Sequence, residues 1–317
     1  MTADLLNPIF TNEDAARAHF EKLRWPDGPV CAHCGSVNNS TELKGKSHRK
    51  GLYKCKDCSQ PFTATIGTIY ERSHIPLHKW LLATHLMCSS KKGISAHQLW
   101  RMLGFGSYRT AWFMGHRIRE AMRDGGPAPL GGSGKTVEAD ETVIGRVQGA
   151  PKSTSKMGGR SGYRNVALTL VERGGSARSF HVTGTTIAEL KPVILANIAR
   201  ETALMTDQAA WYPEIGEDFA SHETVNHARE EYARRDGERI ISTNTVENYY
   251  SIFKRGMKGT YQHCAEKHLH RYLAEFDFRY SNRIALGVDD KARARVAVKG
   301  VEGKRLTYRQ PRPEGLQ

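Results

Sequence analysis

The spacing of apolar residues changes character along the chain, and each change predicts a different kind of element. From Asn12, "NEDAARAHFEKLR" is amphipathic and predicts a short helix over residues 12–24, which "WPDGPV" then breaks. The stretch "GLYKCKDCSQPFTATIGTIY" is rich in Thr, Ile, Tyr and Phe and predicts short strands. After Pro76 the period becomes helical. "LHKWLLATHLMCSS" has the spacing of a core helix, and "ISAHQLWRMLGFGSYRTAWFMGHRIREAM" predicts two more helices joined by the turn "GFGS". Ser95 with Gln98 has the form of a capping box, and Ser107 caps the second of these helices. Tyr108, Arg109, His116, Arg117, Arg119 and Arg123 are predicted to be exposed, as in a helix that enters a major groove. A plain helical hairpin with a solvated basic face has the same pattern.

"RDGGPAPLGGSGKT", residues 123–136, carries little that packs and reads as a linker. Beyond it "TVEADETVIGR" predicts a strand whose alternation sets Glu138 and Asp140 on one face and Glu141 on the other. "PKSTSKMGGRSGYR" reads as a loop exposed to phosphate. "NVALTLVERGGSARSFHV" predicts two strands around a turn, "TTIAELKPVILANIA" a helix, and "ETALMTDQAAWY" a strand ending at Asp207. Strands, a helix, a strand and later helices make a mixed α/β domain.

Composition adds a partner to this outline. The 317 residues include 47 Lys and Arg against 33 Asp and Glu, a formal charge of +14 that favours a polyanion such as nucleic acid. No apolar run approaches the roughly 20 residues of a bilayer span, and "MTADLLNPIF" lacks the basic and apolar regions of a signal peptide. The expectation is a cytoplasmic, nucleoid-associated protein without a membrane partner. Four of the six cysteines form two pairs, Cys31 with Cys34 and Cys55 with Cys58, separated by twenty residues. Two such knuckles close a four-thiolate tetrahedron around Zn²⁺ with no position open to water, so the site is structural. Cys88 and Cys264 are assigned to packing.

Chemistry is carried by carboxylates in the domain beyond the linker. Asp140 lies in a strand, Asp207 at the end of another, and Glu247 in "NTVENYYSIFKRG". On a helix Glu247 and Lys254 point the same way with Tyr250 between them, and Asn244 or Thr245 is the candidate N-cap. Taken alone, the stretch reads equally as an ordinary amphipathic helix with solvated charges. A strand, its neighbour and a packed helix can nonetheless bring three carboxylates together, and such a cluster is stable mainly when divalent cations neutralise it. Oxygen ligands favour Mg²⁺ or Mn²⁺, and two such ions suit phosphodiester chemistry. Glu138 and Glu141 are rivals to Asp140: Glu138 shares its predicted face and is a candidate to support the site from behind, Glu141 points away, and each reads more simply as a salt-bridge partner of nearby basic residues.

The blocks "VEADETVIG", "MTDQAAWY" and "NTVENYYSIFKRGMKGTYQHCAEKHLHRYLAEFDFRYSNR" resemble those of bacterial insertion-sequence transposases of the DDE type, the ISXO2-like group. The resemblance extends over nearly the whole chain. It implies an N-terminal helix and zinc ribbon (1–75), a helix-turn-helix-like DNA-binding region (76–123), a linker (124–136), a ribonuclease-H-like catalytic domain (137–285) and a basic C-terminal tail (286–317). It further implies Asp140 and Asp207 as the two aspartates, Glu247 as the third carboxylate and Lys254 as the companion lysine. Asn244 and Asn248 lie beside the third position, which some relatives fill with Asn. His222, Asn226 and His227 in "SHETVNHAREEY" resemble a further recurrent block, with structural roles as the simpler reading. Expected DNA contacts are Arg109, Arg117, Lys254 and Arg255, and the tail with Tyr308 lies along a DNA backbone or is solvated. The implied activity cuts an element's terminal inverted repeats and joins the 3′-hydroxyl to target DNA, with double-stranded DNA and further copies of the chain as partners. A DNA-binding regulator without catalysis and a nuclease acting on RNA are the alternatives.

Overall fold

The computed structural model describes residues 5–123, 125–126, 128–145, 165–237 and 239–307. The segment "PKSTSKMGGRSGYR" and Tyr308 lie outside them. The chain forms two compact units, one comprising Met1–Ser90, Ile94–Arg123 and Asp289–Gln317, the other Lys91–Gly93 and Asp124–Val288.

In the first unit, α1 (Glu13–Arg24) starts where Asn12 Oδ1 accepts the Ala15 amide at 3.0 Å, and its apolar stripe buries Ala16 and Phe20. Three short strands, β1 (Ser40–Glu42), β2 (Tyr53–Cys55) and β3 (Pro61–Phe62), form an antiparallel sheet in that order. A ring cluster seats the sheet on the end of α1, with Trp25 edge-on to Tyr53 and Phe62 at 5.6 and 5.7 Å. Next comes α2 (Leu77–Ser89), buried on nearly every side. Two helices follow, α3 (Ala96–Leu103) and α4 (Tyr108–Met122), each begun by a serine. Ser95 Oγ accepts the Gln98 amide and Ser107 Oγ the Arg109 amide. Gly104, at φ +61°, ends α3 in the left-handed conformation that a side chain would strain.

In the second unit, β4 (Thr136–Ile144), β5 (Asn165–Glu172), β6 (Ala177–Val182), β7 (Ala203–Asp207) and β8 (Ser221–Val225) form a sheet ordered β6-β5-β4-β7-β8. β5 runs antiparallel to both of its neighbours, β4 and β6, whereas β4, β7 and β8 run parallel. Helices α5 (Ile187–Asn197) and α6 (Tyr212–Gly216) cover one face, packing on Val137, Ala139, Leu168 and Leu204. Helices α7 (Asn244–Gly256) and α8 (Leu269–Ser281) cover the other, packing on Ala167, Val171 and Ala177. A hairpin of β9 (Ala233–Asp236) and β10 (Arg239–Ser242) leads into α7. Alternation along β4 therefore sends Val137 and Ala139 toward α5, and Glu138 and Asp140 toward α7.

Three expectations change. Residues 286–317 are not simply a basic tail. Asp290–Lys299 form a helix, α9, that packs on α2 in the first unit, where it buries Arg293, Ala297 and Val298. Arg293 donates to Cys88 O at 2.9 Å, and beyond the helix Gly303 donates to Gly67 O. Residues 1–75 and 76–123 share this one unit rather than forming two. The linker is also shorter than 124–136. Leu130 is buried in the second unit's core, and its amide and carbonyl bond Asn197 O and the Ala199 amide.

Because Leu130 fills core volume, Leu130→Ala is expected to cost the second unit about 2–4 kcal/mol in urea unfolding, where a linker residue would cost almost nothing.

Candidate functional site

The four paired cysteines converge in the first unit. Gly35 and Ser59, the residues after each pair, adopt φ values of +76° and +58°, which turn each knuckle back on itself. Cys31 and Cys58 Sγ lie 3.7 Å apart, Cys34 and Cys55 Sγ 3.6 Å apart, and all four sulfurs fall within 4.8 Å of one another. A tetrahedron with Zn–S bonds near 2.3 Å has edges of about 3.8 Å, so the cluster fits a structural zinc ion. Asp57 ties the knuckles together by accepting from Ser36 Oγ and Asn39 Nδ2.

In the second unit, parallel pairing sets Glu138 beside Met205, and the same register carried two residues onward sets Asp140 beside Asp207. Asp140 Oδ1 accepts the Glu141 amide at 2.7 Å, and Asp207 Oδ1 the Ala209 amide at 3.0 Å. Burial pushes the Asp140 carboxyl up to about 7, and the charges of Glu141, Asp207 and Glu247 push in the same direction. Glu141 faces the opposite helix layer, where its carboxylate accepts from Tyr212 Oη, yet burial and Asp207 raise it to about 7 as well. Glu247 is half exposed and turned toward two neighbours. Its Oε1 accepts from Thr243 Oγ1 at 3.0 Å and lies 3.1 Å from His227 Nε2. Among the described residues, only the cysteines meet as a group within 4.8 Å, so Asp140, Asp207 and Glu247 share a field without sharing a single point.

Lys254 follows Glu247 along α7, its Nζ 5.6 Å from the Tyr250 ring. Tyr250 Oη in turn donates to Asp140 O at 2.6 Å and Ala167 O at 3.0 Å, joining α7 to the strands beneath. Arg255 is exposed and donates to Ser251 Oγ. The N-cap is Thr243, so Asn244 and Thr245, the two expected caps, are the first two residues of the helix.

His227, read from sequence as structural, touches Glu247, whereas His222 sits elsewhere, 2.9 Å from Thr206 Oγ1, and Asn226 caps the turn that follows it. The block "SHETVNHAREEY" singles out His227 in the sequence, but not its contact with Glu247. Glu138 is fully buried and paired with Arg173 at 2.7 Å, and nothing in the turn "RGGSA" announces that partner.

Of the residues expected to line a DNA-reading helix, Tyr108 and Arg109 are exposed at the start of α4. Arg117 is not, and neither are His116 and Arg119. Residues 114, 117, 118 and 121 share the inner face of α4, so Arg117 lies over the rings of Trp80 and Phe113 and donates to Glu71 O at 3.0 Å. No described helix is long and apolar enough to cross a membrane.

Comparison with known proteins agrees with this arrangement. Residues 129–281 match the ISXO2-like transposase domain, and residues 11–60 match the transposase zinc-ribbon domain. The chain belongs to the ISXO2-like transposase family of insertion sequences. A Halobacterium salinarum protein described as an uncharacterized protein in transposable element ISH50 is 27% identical over 282 residues, covering 85% of this chain and 91% of its own length.

Two outcomes follow from this geometry. Cys55→Ser is expected to reduce bound zinc from about one ion per chain to almost none in metal analysis. Asp140 ordinarily loses its proton near 3.8 but keeps it to about 7 in the folded chain, so folding is penalised as pH rises between those values. Without divalent metal, Asp140→Asn should therefore be neutral below the lower value and stabilise by roughly 2–4 kcal/mol above the upper one, read from unfolding at several pH values.

Proposed function

We propose that the chain is a DDE transposase that binds the terminal inverted repeats of its element, cuts at their ends and joins the freed 3′-hydroxyl to target DNA. The observation that carries this reading is the placement of three carboxylates, Asp140 on β4, Asp207 at the end of the parallel neighbour β7, and Glu247 in the first turn of α7, the helix packed on the sheet face that Asp140 shares. Strand order β6-β5-β4-β7-β8, with antiparallel strands on one side of β4 and parallel ones on the other, supports a ribonuclease-H-like catalytic domain. Asp140, Asp207 and Glu247 offer hard oxygen donors in a negative field that divalent cations would neutralise. A pair of Mg²⁺ or Mn²⁺ ions held there would activate the attacking oxygen and stabilise the departing one.

The protein's own groups supply positioning. Water attacks the phosphorus at the element's end and the P–O bond to the 3′ oxygen breaks, freeing a 3′-hydroxyl. That hydroxyl then attacks a target phosphodiester and displaces its 3′ oxygen. Both steps are in-line displacements, so one arrangement of carboxylates serves both without a covalent protein intermediate. Lys254 brings a point charge to a DNA phosphate on the same face as Glu247, and Arg255 adds a second cation. In the first unit, the zinc ribbon and the exposed start of α4, with Tyr108 and Arg109, read the repeats. An element has two ends, so two or more copies of the chain assemble on DNA. The site of action is the nucleoid.

The test uses purified protein, Mg²⁺ and labelled duplexes carrying the repeats that flank its own gene, beside an Asp207→Asn variant. Nicking at the repeat end by wild type, with binding but at least a hundredfold less nicking by the variant, is the expected result, the order of loss for removal of a transition-state charge contact. Binding without nicking by both proteins, together with failure to join a pre-cut end, would make a DNA-binding regulator the better reading.

A further inference from the structure

We infer that Glu138 is a positioning residue that sets Glu247 against Asp140, by capping α7 from inside the strand that carries Asp140. The inference rests on the reading of Asp140 and Glu247 as metal ligands.

A helix leaves its first amides without intrahelical partners, and an N-cap side chain ordinarily takes one or two of them. Thr243 occupies the N-cap of α7 but makes no capping bond, because its hydroxyl is given to Glu247. The orphan amides go to Glu138 instead. Its Oε2 accepts the Thr245 amide at 2.7 Å and the Val246 amide at 2.9 Å, and its Oε1 accepts Thr245 Oγ1 at 2.8 Å. A carboxylate also suits the positive end of the helix dipole.

Its burial makes the contact exacting. Glu138 has no exposed surface, and a buried charge persists only when paired and fully hydrogen-bonded. Arg173, at the β5–β6 turn, provides the pairing with Nε 2.7 Å from Glu138 Oε1. The same guanidinium donates to Ile240 O at 2.5 Å and, through Nη2, to Ser242 O at 2.9 Å and Ser242 Oγ at 3.0 Å. Arg173 thereby holds the strand that enters α7 while Glu138 holds the helix start.

Glu138 and Asp140 are two residues apart on one face of β4, and Glu247 lies one residue beyond the Val246 amide that Glu138 holds. The separation of the first and third carboxylates is thus set by one rigid strand and one turn of helix. Ligands held to within about 0.5 Å need such support, and outer partners of metal ligands are typically worth 10–100-fold in affinity.

The experiment compares full-length wild type with Glu138→Gln, Arg173→Lys and, as a stability control on the opposite sheet face, Ile194→Ala. The readouts are Mn²⁺ affinity by electron paramagnetic resonance, the metal concentration for half-maximal nicking, repeat binding without metal, and thermal melting. Glu138→Gln keeps the shape but cannot accept from all its donors, and is expected to weaken Mn²⁺ binding about 10–100-fold while leaving metal-free DNA affinity unchanged. Ile194→Ala should lower the melting temperature and leave Mn²⁺ affinity alone. Equal Mn²⁺ affinity in Glu138→Gln and wild type overturns the inference, as does a loss no larger than that of Ile194→Ala. Should Glu138→Gln fail to fold, Thr245→Val, which deletes one donor to Oε1, decides the matter: weaker Mn²⁺ binding supports the inference and unchanged binding overturns it. Wild type that binds Mn²⁺ through Asp140 but never nicks DNA would sink the transposase reading, with the Glu138 comparison still valid on binding. Wild type whose Mn²⁺ binding is untouched by Asp140→Asn overturns the inference.

Discussion

Like charges gathered at one end of a sheet repel, and that repulsion is what the rest of the second unit has to restrain. Asp140, Glu141, Asp207 and Glu247 all bear on the same end of β4 and β7, and desolvation adds to the cost of each charge that is buried. Each is held by a different layer. Asp140 takes a backbone amide of its own strand, Glu141 takes the hydroxyl of Tyr212 from α6, and Glu247 takes Thr243 at the start of α7. The apolar packing on both faces of the sheet supplies the stability that this concentration of charge spends.

Periodicity made most of the framework legible. The helix after Asn12, the serine-begun pair α3 and α4, the strands around Asp140 and Asp207, and the helix with Glu247 and Lys254 on one face are local patterns, and local patterns survive in a sequence. The cysteine spacing was legible for the same reason. Long-range partners were not. Arg173 is 35 residues from Glu138, and only the fold places its guanidinium there. Leu130 sits among glycines and prolines that read as a linker, but one apolar side chain with a bonded backbone is enough to dock such a segment.

Basic residues illustrate a further limit. Counting Lys and Arg treats every cation as available to a polyanion, whereas several are consumed internally. Arg117 lies on rings, Arg173 and Arg279 neutralise buried glutamates, and Arg293 binds a carbonyl of α2. Guanidinium suits these positions because its long stem packs while its planar head satisfies several acceptors. The basic surface that remains is consequently narrower than the formal charge implies.

The placement of α9 ties the folding of the first unit to the order of synthesis. The first unit is assembled from the two ends of the chain, with the whole second unit inserted between them. On the ribosome, α2 therefore has to wait, with part of its apolar surface uncovered, until α9 emerges after the second unit. A chain stopped before Asp290 would keep all four paired cysteines yet lack the helix that packs on α2.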